Sequence, residues 1–171
     1  VAAVATVLVI LVPSISVGIA IDSADVPDGL AVLTADVAEG FAALLAYDPQ
    51  ATADSNAEAM GEAAASVVAG EVTQAVRESS SDAGPIREGD YLGISNDGIK
   101  SVASSVAEVA VGLLDVLVGE EHEIVTIIEG EGATVGDTRH IRQWLEDNRP
   151  DVETEVHHGG QPLYPYYFGI E

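Results

Sequence analysis

The chain opens on an uncharged run, 1–21, in which residues 6–12 are consecutive β-branched and aliphatic side chains. A block of this kind, without alternation, is the pattern of a strand covered on both faces. Pro13-Ser14 interrupts it, a short helix is expected over 16–24, and Val26-Pro27-Asp28-Gly29 turns the chain into a second apolar strand at 30–34. Strand, helix and strand within the first 34 residues read as a βαβ unit on a parallel sheet. Asp36 then caps a predicted helix running to Tyr47, with Val37, Phe41, Leu44 and Leu45 as its inward stripe and Asp48-Pro49 as its stop. In the next helix Ser55 and Glu58 have the spacing of a capping box, Met60, Ala64, Val67 and Val68 form the stripe, and Gly70 marks the end.

From Glu71 to Arg77 the period changes to alternation, the signature of a strand with one wetter face. A polar loop at 79–85 leads to strand 91–95, and the turn Asn96-Asp97-Gly98 before Ile99 predicts a hairpin. A helix over 104–118 aligns Val106, Val109, Ala110, Leu113 and Leu117. Strand 124–128, a Gly-rich loop, a helix over 138–148 carrying Ile141, Trp144 and Leu145, strand 152–157 and a loop entering a last strand complete the series. The expected fold class is α/β, with a parallel-sheet βαβ core, an added antiparallel hairpin and a C-terminal β-α-β-β segment. The 171 residues suit a single domain, with lobes at 1–80 and 81–171 as the finer division.

Composition narrows the function more than the fold. Twenty-nine acidic side chains stand against six basic ones, a formal net charge of -23. Arg77, Arg87, Lys100, Arg139, Arg142 and Arg149 are scattered, so no basic run offers nucleic acid or anionic lipid a footprint. The hydrophobic fraction of 47% separates the chain from acidic disordered tails. The opening run lacks the basic start of a signal peptide and is broken by Pro13, so membrane insertion is not expected. Absence of cysteine removes disulfides, thiolate metal sites and cysteine nucleophiles together, and fits a cytoplasmic setting. A first residue of Val1 rather than Met reads as a processed product or a piece of a longer protein.

The candidate chemistry is sparse. Gly130-Glu131-Gly132 and the residues to Gly136 lie between a strand and a helix, but the spacing is one residue too long for GxGxxG, and Glu129 and Glu131 would repel a pyrophosphate. Asp22, Asp25 and Asp28 do not match the alternating ligands of a calcium loop. His157 and His158 are adjacent at a strand end, where alternation points them to opposite faces. No serine elbow, zinc-protease string or phosphate-binding loop occurs, so no catalytic residue and no metal ligand is expected in the chain.

The terminal segment 159–168 carries two glycines, two prolines and half of the aromatic residues. It suits either a recognition loop on a rigid platform or a closure of the core by its tyrosines. A second class of function, a small-ligand or phosphatase-like domain, would place its pocket at the carboxyl ends of the parallel strands, around Pro13, Ser14 and Thr34.

The string from Val152 through His157-His158-Gly159-Gly160-Gln161-Pro162-Leu163-Tyr164-Pro165-Tyr166 to Glu171 resembles the C-terminal signature of the ATP-binding subunit of bacterial two-component fatty acid kinases, long labelled dihydroxyacetone-kinase-like or Dak phosphatase proteins. Blocks in the same order support the likeness: Gly40-Phe41-Ala42-Ala43-Leu44, Asp48-Pro49, Ala59-Met60, Ala75-Val76-Arg77, Gly89-Asp90-Tyr91-Leu92-Gly93 and Glu123-Ile124-Val125-Thr126. Ser14 stands where the family usually has Asn, and the first 25 residues match loosely.

The resemblance implies an isolated, non-catalytic C-terminal domain of a kinase that phosphorylates a fatty acid held by a separate protein, making acyl phosphate for phospholipid synthesis. It implies docking of that fatty-acid-binding subunit, with Gly159, Gly160, Gln161, Pro162, Tyr164 and Tyr166 near the partner. No cofactor is expected in this segment, Mg-ATP belonging to the N-terminal kinase domain that has no counterpart here, and the resemblance leaves room for a homodimer of the parent protein.

Overall fold

The computed structural model describes residues 6–11, 29–34 and 37–171, which divide into two units at Val67/Val68. In the first unit β1 (Thr6–Leu11) pairs in parallel with β2 (Gly29–Thr34), in a register that sets Thr6 beside Gly29 and Leu11 beside Thr34. This is the parallel pair that the two apolar runs predict. The helix expected at 16–24 lies outside the described residues, as do Pro13 and Ser14.

Helices α1 (Val37–Leu45) and α2 (Ala53–Ser66) complete that unit. The turn between them is tied by a reciprocal pair in which Asn56 Oδ1 accepts from the Asp48 amide at 2.8 Å and Asn56 Nδ2 donates to the Asp48 carbonyl at 2.8 Å. The cap of α2 is Thr52, whose hydroxyl accepts from the Ser55 amide, so Ser55 lies inside the helix rather than at its start. Met60 and Ala64 are buried as the stripe predicts, while Val67 caps the end. On α1 the expected stripe is reversed. Ala38, Gly40, Ala42 and Ala43 face inward, and Phe41, Leu44 and Leu45 are 45%, 58% and 71% exposed. Small side chains let two helices approach closely, and here that close approach, not side-chain size, decides which face is inside.

The second unit is built on a six-stranded sheet in the order β7-β6-β3-β10-β8-β9. Its strands are β3 (Val68–Gln74), β6 (Tyr91–Ser95), β7 (Gly98–Ala103), β8 (Ile124–Glu129), β9 (Glu153–His158) and β10 (Tyr166–Ile170). The class is α/β, with β8 and β9 parallel across the crossover helix α4 (Val135–Asn148) and the other neighbours antiparallel. The predicted C-terminal β-α-β-β segment is β8-α4-β9-β10, and the predicted hairpin is β6-β7, closed between Ser95 and Gly98. Gly98 takes φ 103°, a value open to glycine at small cost. A second, two-stranded hairpin, β4 (Ser79–Ser81) with β5 (Gly84–Ile86), occupies the stretch whose polarity reads as loop.

Helix α3 (Val106–Leu117) is capped by Ser105, whose hydroxyl accepts from the Glu108 amide. With α4 it supplies Val109, Leu113, Leu114, Ile141 and Leu145 to a core completed by Val72, Val125, Ile127, Tyr166, Phe168 and Ile170. Two strand glycines admit α3. Gly70, expected to end a helix, is a β3 residue over which Leu113 and Leu117 pack, and at Gly93 a Cβ would lie 2.9 Å from Leu113 Cβ and 3.2 Å from Ser101 Cβ.

Replacing Gly93 with Ala should therefore overpack the sheet–helix contact and cost about 1–3 kcal/mol in urea denaturation. Gly61→Ala is its opposite, because a Cβ in mid-α2 would meet nothing within 4 Å. That variant should stabilise its unit by about 0.5–1 kcal/mol.

Candidate functional site

The chemistry-bearing residues gather where β8 ends. Cross-strand partners share a face, and one helix-facing row crosses all six strands as Ser101, Gly93, Val72, Tyr166, Glu129 and His158. The row below it holds Phe168 beside Ile127, so Glu129 is a carboxylate at the rim of an aliphatic floor. Such a group needs a donor, and α4 supplies one. Thr134 caps that helix, accepting from the Asp137 amide at 3.1 Å, and the first turn then points Thr138 at the sheet. Thr138 Oγ1 lies 2.5 Å from Glu129 Oε1 and 2.7 Å from the Tyr166 hydroxyl.

A carboxylate only accepts, so Thr138 gives its one proton to Glu129 and the Tyr166 hydroxyl donates to Thr138. The result is a buried chain of donors from Tyr166 through Thr138 to Glu129. Burial pushes the Tyr166 phenol above its usual value of 10.0, and the negative charges of Asp137 and Glu129 push it the same way, outweighing the hydrogen bonds to Thr138 and Thr134. Neither Thr138 nor Glu129 stands out in the sequence, Thr138 because a single helical threonine carries no motif, Glu129 because it reads only as a residue hostile to phosphate.

The terminal loop wraps the same strand end. The amides of Gly159 and Gly160 both donate to the Glu129 carbonyl, at 2.9 and 3.0 Å, and Gly160 takes φ 66°. Gln161 is the brace. Its Nε2 donates to the carbonyls of Ile128 and Tyr164, each at 3.2 Å, and its own carbonyl accepts from Glu131 at 3.0 Å. Gly130 lies so close under this loop that a Cβ there would overlap the Tyr164 carbonyl oxygen. Pro165 accepts from the Gly130 amide at 2.8 Å, and Tyr164 stacks on Tyr167 with ring centroids 5.1 Å apart. The Gly-rich stretch at 130–132 is thus a seat for the terminal loop.

The six residues expected near a partner are brought into one loop but not onto one surface. Gly159 and Pro162 are exposed, Gly160, Gln161 and Tyr164 are half-buried, and Tyr166 is fully buried, its hydroxyl committed to Thr138. A tyrosine at 0% exposure closes the core and offers a partner no contact. Leu163, absent from that set, is the exposed large hydrophobic residue of the loop. It is 81% exposed and sits at φ 70°, and its carbonyl is held by Thr73 Oγ1 at 3.1 Å. A left-handed leucine carries backbone strain of order 1 kcal/mol, which no feature of the local sequence advertises.

Of the alternative pocket, Pro13 and Ser14 lie outside the described residues, and Thr34 ends β2. His157 and His158 point to opposite faces of β9 as alternation predicts, His157 facing Glu155 at 3.3 Å and His158 lying in the row with Glu129. Among the described residues no group of three or more acidic or histidine side chains is placed to hold a metal ion, and no helix is long and apolar enough to cross a membrane.

Thr138→Val should remove the donor to Glu129, leave Tyr166 only the Thr134 carbonyl, and cost about 1–3 kcal/mol in chemical denaturation, with Thr138→Ser restoring most of it. The raised Tyr166 pKa gives a pH dependence of known sign. The native state holds this proton more tightly than the unfolded one, so its stabilisation is complete below pH 10.0 and is lost as pH rises through the folded value. Denaturation midpoints measured from pH 8 upward should fall less steeply in Tyr166→Phe than in the parent.

The family of C-terminal domains like that of the fatty acid kinase A-subunit matches residues 15–171. An uncharacterised protein of Staphylococcus aureus (strain USA300) is 37% identical over 128 residues, which is 75% of this chain and 23% of that protein. An uncharacterised protein of Staphylococcus haemolyticus is 38% identical over 128 residues, again 75% of this chain and 23% of its own length. The chain thus spans 23% of the length of these relatives. With the match running from residue 15 through the two-glycine loop and β10 to Glu171, the chain belongs to the C-terminal family of fatty acid kinase A-subunit-like proteins.

Proposed function

We propose that this domain docks the fatty-acid-binding subunit of a two-component fatty acid kinase, so that a kinase domain elsewhere in the longer protein can phosphorylate the bound fatty acid. The family match over 15–171 carries the reading. On this reading Mg-ATP binds outside this chain, the product is an acyl phosphate for phospholipid synthesis, and the site of action is the cytoplasm. The braced terminal loop supports the choice of surface. Gln161 and Gly130 fix its base, and Pro162, Leu163 and half-buried Tyr164 stand at its tip. An exposed apolar side chain on a loop already ordered contributes binding energy with little further entropy loss.

Calorimetric titration of this chain with the lipid-loaded partner should give saturable binding, and Leu163→Ser should weaken it by about tenfold, the equivalent of roughly 1.4 kcal/mol. Absence of heat at high concentration would remove the docking role. A charge of -23 adds a second readout, since binding to a basic face should weaken as salt rises from about 0.05 to 0.5 M.

A further inference from the structure

Residues 1–67 contain no lysine or arginine, so every basic side chain of these two types lies in the second unit. There Arg149 is committed to Asp115 and the Val118 carbonyl, and Lys100 to Asp97. The exposed side chains of Arg77, Arg87, Arg139 and Arg142 form no hydrogen bond or ion pair with any described residue; of these, Arg139 and Arg142 are neighbours, three residues apart on α4. Both line an open pocket of about 300 Å³ whose wall also includes Glu129, Thr138 and Glu146. That volume is at the lower end of small-molecule sites.

The lining offers two kinds of charged group. Guanidiniums are donors only and match an oxyanion in a fork, whereas the Glu129 carboxylate is an acceptor only. Glu129 is also held in place, one oxygen occupied by Thr138, which is in turn held by Tyr166. A plain anion would meet the arginines but also face Glu129 and Glu146, and a plain cation would meet the carboxylates but face the arginines. A molecule carrying both ends satisfies each.

We propose that this α4 pocket binds a small molecule joining an oxyanion, carboxylate or phosphate, to a hydrogen-bond-donating ammonium or hydroxyl group through a short spacer. The oxyanion lies on Arg139 and Arg142, and the donor lies on Glu129. The site is distinct from the terminal-loop tip and stands whether or not the domain docks a partner.

Titrating the intact 171-residue chain with β-alanine and with O-phosphoethanolamine tests it, the two probes sharing the donor and differing in the oxyanion. One of them should bind saturably with a Kd below about 1 mM, identifying a carboxylate or a phosphate source, and acetate, which lacks the donor, should bind about tenfold more weakly or worse. Arg142→Gln, at an exposed position, should weaken the bound probe about tenfold with an unchanged melting temperature, and Glu129→Gln should abolish the preference over acetate. Three results would each overturn the proposal: no saturable binding of either zwitterion up to about 10 mM, binding unaltered in Arg142→Gln, or acetate binding as well as the zwitterion that binds.

Discussion

The second unit depends on the pairing of its last strand with two strands distant in sequence. β10 is antiparallel to β3 on one side and to β8 on the other, so Tyr166, Phe168 and Ile170 form the column that joins Val72, Gly70 and Val68 to Glu129, Ile127 and Val125. Without β10 the hairpin side, β3-β6-β7, and the crossover side, β8-α4-β9, would share no strand hydrogen bonds. Glu171 closes the arrangement, its carbonyl accepting from the amides of Glu123 and Ile124. Such pairings are far apart along the chain, so their loop-closure entropy must be met before the sheet is complete.

This constraint explains why the terminal loop is so firmly built. The chain must leave β9 at the sheet edge, cross the end of β8 and enter the centre of the sheet, all between His158 and Tyr166. Gly159 and Gly160 bond to the end of β8, Gln161 braces the turn, and Gly130 leaves room for the crossing backbone. The residues that carry the family signature are therefore largely those that make this crossing feasible. The surface they present is a consequence of that path, with Leu163 exposed and Tyr166 drawn inside to meet Thr138.

The same geometry concentrates polar chemistry at one place. Because β8 ends beside the N-terminal turn of α4, Glu129 reaches Thr138, and Arg139 and Arg142 come to the wall of the same pocket. A sheet residue and helix residues nine to thirteen positions later are thereby joined by a crossover rather than by any motif.

Sequence alone was enough for the elements whose signals are local. The apolar runs of β1 and β2, the stripe of α3, the Asn96-Asp97-Gly98 turn and the order β8-α4-β9-β10 all follow from periodicity and turn chemistry. The family was legible too, from a terminal string whose residues lie where the chain crosses β8. What only the tertiary structure decided are, one local hairpin apart, matters of long-range partnership. The polar stretch at 79–86 forms a hairpin through its own backbone rather than an apolar pattern. On α1 the alanines face in and the larger residues out, and Gly70 belongs to a strand because Leu113 and Leu117 pack on it. Tyr166 is a core residue because strand order puts its hydroxyl beside Thr138. Periodicity states that a residue has a face, and only the packed neighbour determines what that face meets.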